Sequence, residues 1–562
     1  MEPYQIIILA AGIIAAIVII GIITSRTAAK NLYYKLFSSY GQLKSYDFSY
    51  EEYESISHFF KNTLKDEFII DDTTWNDLDM DKIFMMINNT NSSVGRDYLY
   101  KILRTPLTSL SELQERDRLI KYFDSDSYNR TKIMQAFAGI GFTRKISISD
   151  HMDRLFKLKP VSNVFHYAML VCMLIAILYT IFIDPVMGIL LILITFGGSI
   201  ITYYKMKSKI DSFFTCIRQL VAMLNAAEKI SGLNIPELKE YNERLNNAVH
   251  TFRKIKRNSW LLVSAKDKSG SLGDIFLEYL RMFTHLDLIK FNHMLKNIGS
   301  NEDMVIELMS VLGLLESMIS VASFRKLLPY YCTPGFSQGD GGLSIKEVYH
   351  LSIKEPVANS INEDKPVLIT GSNASGKSTF LKSVAICSIL AQTIYTCPAE
   401  EYKAPFYRIY SSMALSDDLD LGESYYIVEI KSLKRIVDAS QKEGARILCF
   451  IDEVLRGTNT VERIAASSEI LRSLAKSNVM CFAATHDIEL THILQKYYAN
   501  YHFDEEVRDN NVIFSYLLKN GKASSRNAIK LLEIIGYSND IVNDSEIRAN
   551  DFINTGVWRQ CE

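Results

Sequence analysis

The most constraining feature of this chain is a glycine-rich loop between two apolar segments in its C-terminal half. Residues 367–380 read VLITGSNASGKSTF, which places Gly371, Gly376, Lys377 and Ser378 in the pattern G-x-x-x-x-G-K-[ST]. A tight loop of small residues lets consecutive backbone N–H groups point at one phosphate chain, and the following helix adds its positive N-terminal end. The strand-like PVLIT before the loop and the helix-like FLKSVAICSILAQ after it favour a phosphate-binding loop over an ordinary Gly/Ser turn.

This loop predicts a nucleotide with β- and γ-phosphates as the ligand and Mg²⁺ as its cofactor. Lys377 is expected to reach the β- and γ-phosphates, and the hydroxyl of Ser378 to coordinate Mg²⁺. The predicted nucleotide-binding residues of the loop are Gly371, Ser372, Asn373, Ala374, Ser375, Gly376, Lys377, Ser378 and Thr379.

Two further apolar runs end in residues that such a loop needs. Residues 447–453 read ILCFIDE, which indicates a buried parallel strand followed by Asp452 and Glu453. Asp452 is placed to hold the Mg²⁺ shell, and Glu453 to orient and polarise an attacking water. The run VMCFAATH ends in His486, at the carboxyl end of a third candidate strand. Two acids can simply cap a strand and a lone histidine is usually structural, but ligands of α/β sheets bind at these strand ends, which favours a γ-phosphate contact for His486.

The front of the chain contains apolar runs of membrane-spanning length. Residues 4–25 carry no charge, and two more uncharged runs, 161–183 and 185–204, are separated only by Asp184-Pro185. About 20 apolar residues cross a bilayer, so the runs predict one anchor and one transmembrane hairpin. A signal peptide is the alternative for the first run and a buried helix pair for the other two; the acidic start MEP and the length of the runs favour membrane spans.

The charges beside these runs predict their orientation. Basic residues flank one side of the spans: Arg26, Lys30, Lys35, Arg144, Lys145, Arg154, Lys157, Lys159, Lys205, Lys207 and Lys209. By the positive-inside rule, the amino terminus is outside and the globular parts are cytoplasmic, which predicts a multi-pass protein of the cell inner membrane with lipid as a partner.

Composition bounds the other partners. The 562 residues suffice for two or three domains, and a net charge of −2 gives no global basic footprint for nucleic acid. The densest basic run, RKIKR at 253–257, is a solvated helix face or a contact for DNA phosphates or anionic lipid. Eight cysteines occur without a C-x-x-C pair or a histidine cluster, which indicates reduced thiols and no zinc site.

The ordered motifs resemble the ATPase domain of MutS-type DNA mismatch-repair proteins. They are TGSNASGKST, DDLDLGESYYIVEI, IDEVLRGTNT and ATHDIEL, and the final segment KASSRNAIKLLEIIGYSNDIVNDSEI is similar to the helix-turn-helix that closes the family's dimer. The resemblance implies a homodimer that binds DNA, with Ser424 of one subunit reaching the nucleotide of the other. It also implies that Glu453, His486 and Lys377 are the catalytic residues, and that Ser378 and Asp452 hold the metal.

The upstream sequence is similar to the family's helical core and lever. NTNSSVGRDYLYKILRTPL follows DDTTWNDLDM, and LMSVLGLLESMISVASF resembles the lever helix that returns to the ATPase. The expected fold is multidomain: transmembrane helices, an all-α core and lever domain, and an α/β P-loop ATPase with a C-terminal helix-turn-helix. The predicted division is a transmembrane anchor at 1–25, a linker at 26–70, the helical domain at 71–340 with its transmembrane hairpin at 161–204, the ATPase at 341–520 and the dimerisation element at 521–562.

Departures from the family pattern leave two functions open. Only about 70 residues precede the core, so the family's N-terminal mismatch-reading domain is not expected. The family's adenine-stacking aromatic falls near Pro356 or Val357, and Tyr425 stands where threonine is usual. The sequence predicts a membrane-anchored MutS-type ATPase that binds DNA without mismatch specificity. The alternative is a membrane-remodelling or signalling ATPase that uses the same type of ATPase domain without DNA. A transporter of the ABC type is less compatible, because three spans are few and no LSGGQ is present.

Overall fold

The computed structural model is rich in helices and carries two β-sheets in its C-terminal part. It describes residues 3–44, 49–64, 67–143, 147–159, 161–258, 279–337, 342–372, 375–413, 425–442, 444, 446–456, 458–508, 511–522, 528–558 and 560. These residues form two compact units. The helical unit comprises Met1–Glu67, Met86–Ile102 and Arg116–Leu327, and the sheet unit comprises Phe68–Met85, Leu103–Glu115 and Leu328–Glu562.

The secondary structure follows the chain in a simple order. The helices are α1 Pro3–Ser39, α2 Tyr50–Asn62, α3 Asp72–Asp77, α4 Met80–Ile87, α5 Ser93–Arg104, α6 Leu110–Ser125, α7 Ser127–Ile140, α8 Ile148–Lys157, α9 Val164–Phe182, α10 Pro185–Ser231, α11 Lys239–Thr251, α12 Arg253–Asn258, α13 Leu286–Gly299, α14 Glu302–Arg325, α15 Lys377–Ile394, α16 Tyr425–Ser440, α17 Thr460–Leu474, α18 Ile488–Ile493, α19 Ala528–Ile535 and α20 Asn539–Thr555. The strands are β1 Gly335–Phe336, β2 Leu343–Val348, β3 Asn359–Glu363, β4 Val367–Thr370, β5 Glu401–Ala404, β6 Arg408–Ser412, β7 Ile447–Asp452, β8 Val479–Thr485, β9 Ala499–Arg508 and β10 Asn511–Asn520.

Helices α9 and α10 form an apolar hairpin in the helical unit. Asp184 caps α10 by accepting hydrogen bonds from the N–H groups of Val186 at 2.9 Å and Met187 at 3.3 Å, and Pro185 occupies the first turn, where its missing N–H costs nothing. In the most apolar 18 residues of Val164–Phe182 in α9 and of Pro185–Ile210 in α10, only 17% of the residues are buried. Length and composition allow α9 and Pro185–Ile210 of α10 to cross a membrane, and most large side chains of these two segments face outward.

Two other apolar helices differ from this hairpin. Helix α14 is also long and apolar enough to span a membrane, but 72% of its most apolar 18 residues are buried in the structure. Helix α1 contains the predicted anchor at 4–25; most side chains before residue 19 lie outside the described residues, and those of Ile19, Ile20, Ile22 and Ile23 are exposed. The predicted linker at 26–70 contains the end of α1 and all of α2.

Helix α14 is fixed to the segment NTNSSVGR by buried polar contacts. The carboxylate of Glu316 accepts hydrogen bonds from the backbone N–H of Asn91 and the hydroxyl of Ser92. A β-carbon at Gly95 would lie 2.1 Å from this carboxylate, so no larger residue fits there. Gly95 therefore allows a close approach of the buried acid on α14 to this segment.

The strand order of the larger sheet determines where a ligand-binding site can form. Its strand order is β10-β9-β4-β8-β7-β6, with parallel pairing throughout except between β9 and β10. Strands β4, β7 and β8 are buried along their whole length, as expected for parallel strands covered on both faces. They are parallel neighbours in the sheet, so their carboxyl ends lie side by side at the same end of the strands. The smaller sheet has the order β1-β5-β2-β3.

Candidate functional site

The loop between β4 and α15 requires glycine at two positions. Gly371 has φ 148° and Gly376 has φ 111°, values that other residues rarely adopt. A β-carbon at Gly371 would lie 2.9 Å from both the carbonyl oxygen of Phe503 and the Oγ of Ser375. The predicted strand, loop and helix are thus present in this order, while Asn373 and Ala374 lie outside the described residues.

Lys377 folds back over its own loop. Its Nζ donates hydrogen bonds to the carbonyl oxygens of Gly371 at 2.8 Å and Ser372 at 2.7 Å. Burial lowers the pKa of Lys377 to about 8, against the opposing effect of the carboxylates of Asp452 and Glu453. A partly desolvated cation attracts an anion more strongly than an exposed one does, so this lysine suits a phosphate ligand.

One hydroxyl in the loop is buried and lacks a partner within the described residues. The Oγ of Ser375 is fully buried and has no hydrogen-bond partner within the described part of the chain. Buried hydroxyls are normally satisfied, so an unsatisfied one in a glycine-rich loop fits a loop that is completed by a ligand. The neighbouring hydroxyl of Ser372 hydrogen-bonds the carboxylate of Glu505 on β9, a contact that sequence reasoning did not foresee.

The end of β7 carries a carboxylate held from two sides. The Oε1 of Glu453 lies 2.8 Å from Nε2 of His486, which follows β8, and Oε2 lies 2.6 Å from Nε of Arg456. The hydrogen bond from His486 is the main cause that lowers the pKa of Glu453, and Arg456 adds to it. Glu453 is therefore held as a carboxylate. Its φ of 61° is unusual for a residue with a side chain, which marks a backbone held in place by its surroundings.

A second carboxylate supports the turn after β7. Glu429 on α16 is 3% exposed and accepts hydrogen bonds from the N–H groups of Leu455 at 2.6 Å and Arg456 at 3.1 Å. Leu455 also has a positive φ, 62°. Glu429 and Arg456 appear in the resembling motifs, but their roles in holding Glu453 could not be read from the sequence.

Several of these residues line a cavity of about 760 Å³, which is in the range of small-molecule sites. Its polar wall contains Ser372, Gly376, Lys377, Ser378, Thr379, Asp452, Glu453 and Arg456. Its other wall is more apolar and includes His350, Ile353, Pro356, Val357 and Tyr516. Tyr516 on β10 provides an aromatic ring in this wall, where the sequence had indicated only Pro356 and Val357.

The structure brings most of the predicted site together. Ser378 and Asp452 line the same cavity, and their oxygens are ligands of the kind that Mg²⁺ prefers, so the residues present fit this ion. His486 lies 3.4 Å from Nζ of Lys377, measured from its Nε2. Gly371 is the first residue of the loop after β4. Ser424, the residue expected to act across a dimer, lies outside the described residues, as does Gly457.

Comparison with known proteins agrees with the geometry. Residues 367–552 match the family model described as MutS domain V. The chain is similar to the DNA mismatch repair protein MutS of Thermotoga petrophila, with 24% identity over 87% of this chain and 66% of the relative. It is also similar to the DNA mismatch repair protein MutS of Pseudothermotoga lettingae, with 30% identity over 45% of this chain and 32% of the relative. MutS protein homolog 4 of Mus musculus is 30% identical over 50% of this chain and 30% of its own length. The chain thus spans about one third to two thirds of the length of these three relatives.

Proposed function

We propose that this chain is a membrane-anchored ATPase of the MutS type, because residues 367–552 match the family model described as MutS domain V. The observation that carries the proposal is the convergence of Lys377, Asp452, Glu453 and His486 at the adjoining carboxyl ends of β4, β7 and β8. These side chains supply a cation for phosphate, a ligand for Mg²⁺, a base and a polar contact for the γ-phosphate.

The proposed reaction is hydrolysis of ATP by water. Lys377 and the loop N–H groups bind the β- and γ-phosphates. Ser378 and Asp452 would hold Mg²⁺, which would supply positive charge against the phosphates. Glu453 accepts a hydrogen bond from the attacking water and orients it, since His486 and Arg456 fix both oxygens of its carboxylate. His486 also contacts the γ-phosphate. The wall that contains Tyr516 accommodates the base.

We place two copies of the chain at this reaction. The resemblance of the motifs to those of MutS proteins supports a homodimer in which Ser424 of one copy completes the nucleotide site of the other, with α19 and α20 as the dimerisation element. Sizing of the purified chain in detergent, with and without ATP, tests this assembly: an ATP-stabilised dimer supports it, and a monomer at all ATP concentrations contradicts it.

The membrane part of the proposal rests on the apolar hairpin. Helices α9 and α10 expose apolar side chains along 19 and 26 residues respectively, which is sufficient for two spans, and α1 provides a third. The positive-inside pattern places the sheet unit in the cytoplasm, where ATP is, and the chain in the cell inner membrane.

DNA is the proposed macromolecular partner. The support is the similarity of the chain to relatives named DNA mismatch repair protein MutS. A filter-binding titration with matched, mismatched and branched duplexes, read for its salt slope, tests the partner. We expect salt-dependent binding with less than about tenfold preference for mismatches, equivalent to 1.4 kcal/mol. Absence of salt-dependent binding would favour the alternative, a remodelling or signalling ATPase that acts at the membrane without DNA.

A further inference from the structure

A pair of cysteines in the sheet unit lies directly opposite each other on two chain segments. Cys332 and Cys397 form an isolated antiparallel bridge in which each backbone N–H donates to the carbonyl oxygen of the other, at 3.0 Å from Cys332 and 2.9 Å from Cys397. Opposed residues in such a pair place their side chains on the same side, with Cα atoms about 5.5 Å apart. Disulfides join Cα atoms at about 4.4–6.8 Å, so the Cα separation of such a pair lies within the range that a disulfide spans.

The two thiols are unequal in access. Cys332 is partly exposed, whereas Cys397 is buried. The thiol of Cys397 hydrogen-bonds the sulfur of Cys332, and this contact lowers the pKa of Cys332 below its ordinary value. Burial raises the pKa of Cys397. An accessible sulfur with increased thiolate character beside a protected thiol is the arrangement of an attacking and a resolving cysteine.

We propose that Cys332 and Cys397 form a reversible disulfide, which makes this pair a redox modification site. The oxidant is a peroxide. The thiolate of Cys332 attacks one oxygen of hydrogen peroxide, the O–O bond breaks, and sulfenic acid and hydroxide form. The sulfur of Cys397, as its thiol loses a proton, then attacks the sulfenic sulfur of Cys332. The S–S bond forms, and hydroxide leaves and takes up the proton as water. A dithiol reductant reverses the bond by exchange.

The position of the pair defines what the bond would join. Cys397 lies three residues after α15, the helix that begins with Lys377. Cys332 lies in the segment that opens the C-terminal part of the sheet unit. The disulfide would fasten this segment to the turn after α15. The inference does not depend on ATP hydrolysis, because it rests on the facing cysteines alone.

The experiment uses the full-length chain in detergent. It is treated with hydrogen peroxide, its remaining thiols are alkylated, and its peptides are identified by mass spectrometry without reduction. We expect a linked pair of peptides containing Cys332 and Cys397 that disappears after dithiothreitol. Cys332→Ser should abolish the link and leave Cys397 available for alkylation in the denatured chain. The matched control is Cys481→Ser, because Cys481 faces the buried Cys449 on neighbouring strands and should leave the 332–397 link unchanged.

Three results would overturn the proposal. The first is oxidation of Cys332 to sulfinic acid with Cys397 still a free thiol. The second is a link from Cys397 to Cys387, the buried thiol of α15 that also hydrogen-bonds Cys397. The third is oxidation of the exposed Cys172 under conditions that leave both bridge cysteines unmodified.

Discussion

Nε2 of His486 lies 2.8 Å from Oε1 of Glu453, and this contact joins the ends of two neighbouring strands, β8 and β7. Because Arg456 holds the other oxygen of the same carboxylate, Glu453 has little freedom to rotate. A base fixed in this way can orient a water without the cost of ordering its own side chain during the reaction.

Replacing Glu453 by Gln should separate nucleotide binding from hydrolysis. The amide keeps the size of the side chain but cannot accept a proton, so we expect ATP to bind and turnover to fall by about 10²–10⁴. The measurement is the steady-state ATPase rate together with equilibrium binding of ATP. Glu469→Gln is the control, because Glu469 is exposed on α17 and pairs only with Arg472 among its described contacts. Wild-type turnover in the Glu453 variant would remove this residue from the role of base.

Glu429 should act as a positioning residue. Glu429→Ala leaves the N–H groups of Leu455 and Arg456 without their acceptor, at a cost of about 1–3 kcal/mol, and should slow hydrolysis more than it weakens ATP binding. Glu429→Gln keeps one acceptor oxygen and should recover part of the rate. Lys434→Ala, an exposed change on the same helix, serves as control. Equal rates in the Ala and Gln variants, with both lowered only in proportion to unfolding, would indicate a purely structural role.

His350 in the cavity wall predicts a pH dependence of stability. Burial is the main cause that lowers the pKa of His350, and the charge of Lys382 adds to it. The unfolded chain therefore binds this proton first as the pH falls below 6.5, and the stability contributed by the neutral imidazole is lost as the pH falls further through the folded-state pKa. Between about pH 7.5 and about pH 5.5, thermal unfolding of His350→Gln should shift less than that of the wild type. An equal shift in both proteins would contradict this assignment; His293→Gln, at an exposed position, is the control.

The apolar hairpin should anchor the chain without α1. A chain that lacks residues 1–25 should stay in the membrane fraction after an alkaline carbonate wash, and removal of 161–204 as well should release it. Labelling of Cys172 gives an independent test of membrane insertion, because Cys172 is exposed on α9. In membranes this thiol should react with an apolar maleimide and resist a charged one. Recovery of the full-length chain in the soluble fraction would contradict membrane anchoring.

The sequence predicted the strands and the loop of the candidate site better than the contacts between distant segments around it. The glycine spacing and the apolar runs were sufficient to predict β4, β7 and β8 and the residues at their ends, because strand burial and tight loops impose strict local patterns. Contacts between distant segments have no such pattern. Neither the ring of Tyr516 in the cavity wall nor the bond between Ser372 and Glu505 could be predicted, since both depend on where β9 and β10 lie.

The packing of one N-terminal segment could also not be predicted from the sequence. Nothing in the sequence indicated that residues 68–85 pack with the C-terminal sheet. The structure places the carboxylate of Asp77 within hydrogen-bond distance of the Ser411 hydroxyl, at 2.6 Å, and of the Met413 N–H, at 3.0 Å. The reason is a buried acid that finds its partners more than 300 positions away in the chain.

The central claim is that this chain hydrolyses ATP with the loop that follows β4, and the most direct test is the ATPase rate of the purified full-length chain beside Lys377→Ala. Lys377 is the side-chain cation folded over that loop, so its removal should lower the rate by at least about 10². The account predicts ATP hydrolysis by the wild type and its loss in the variant. Hydrolysis at the wild-type rate by Lys377→Ala would contradict it.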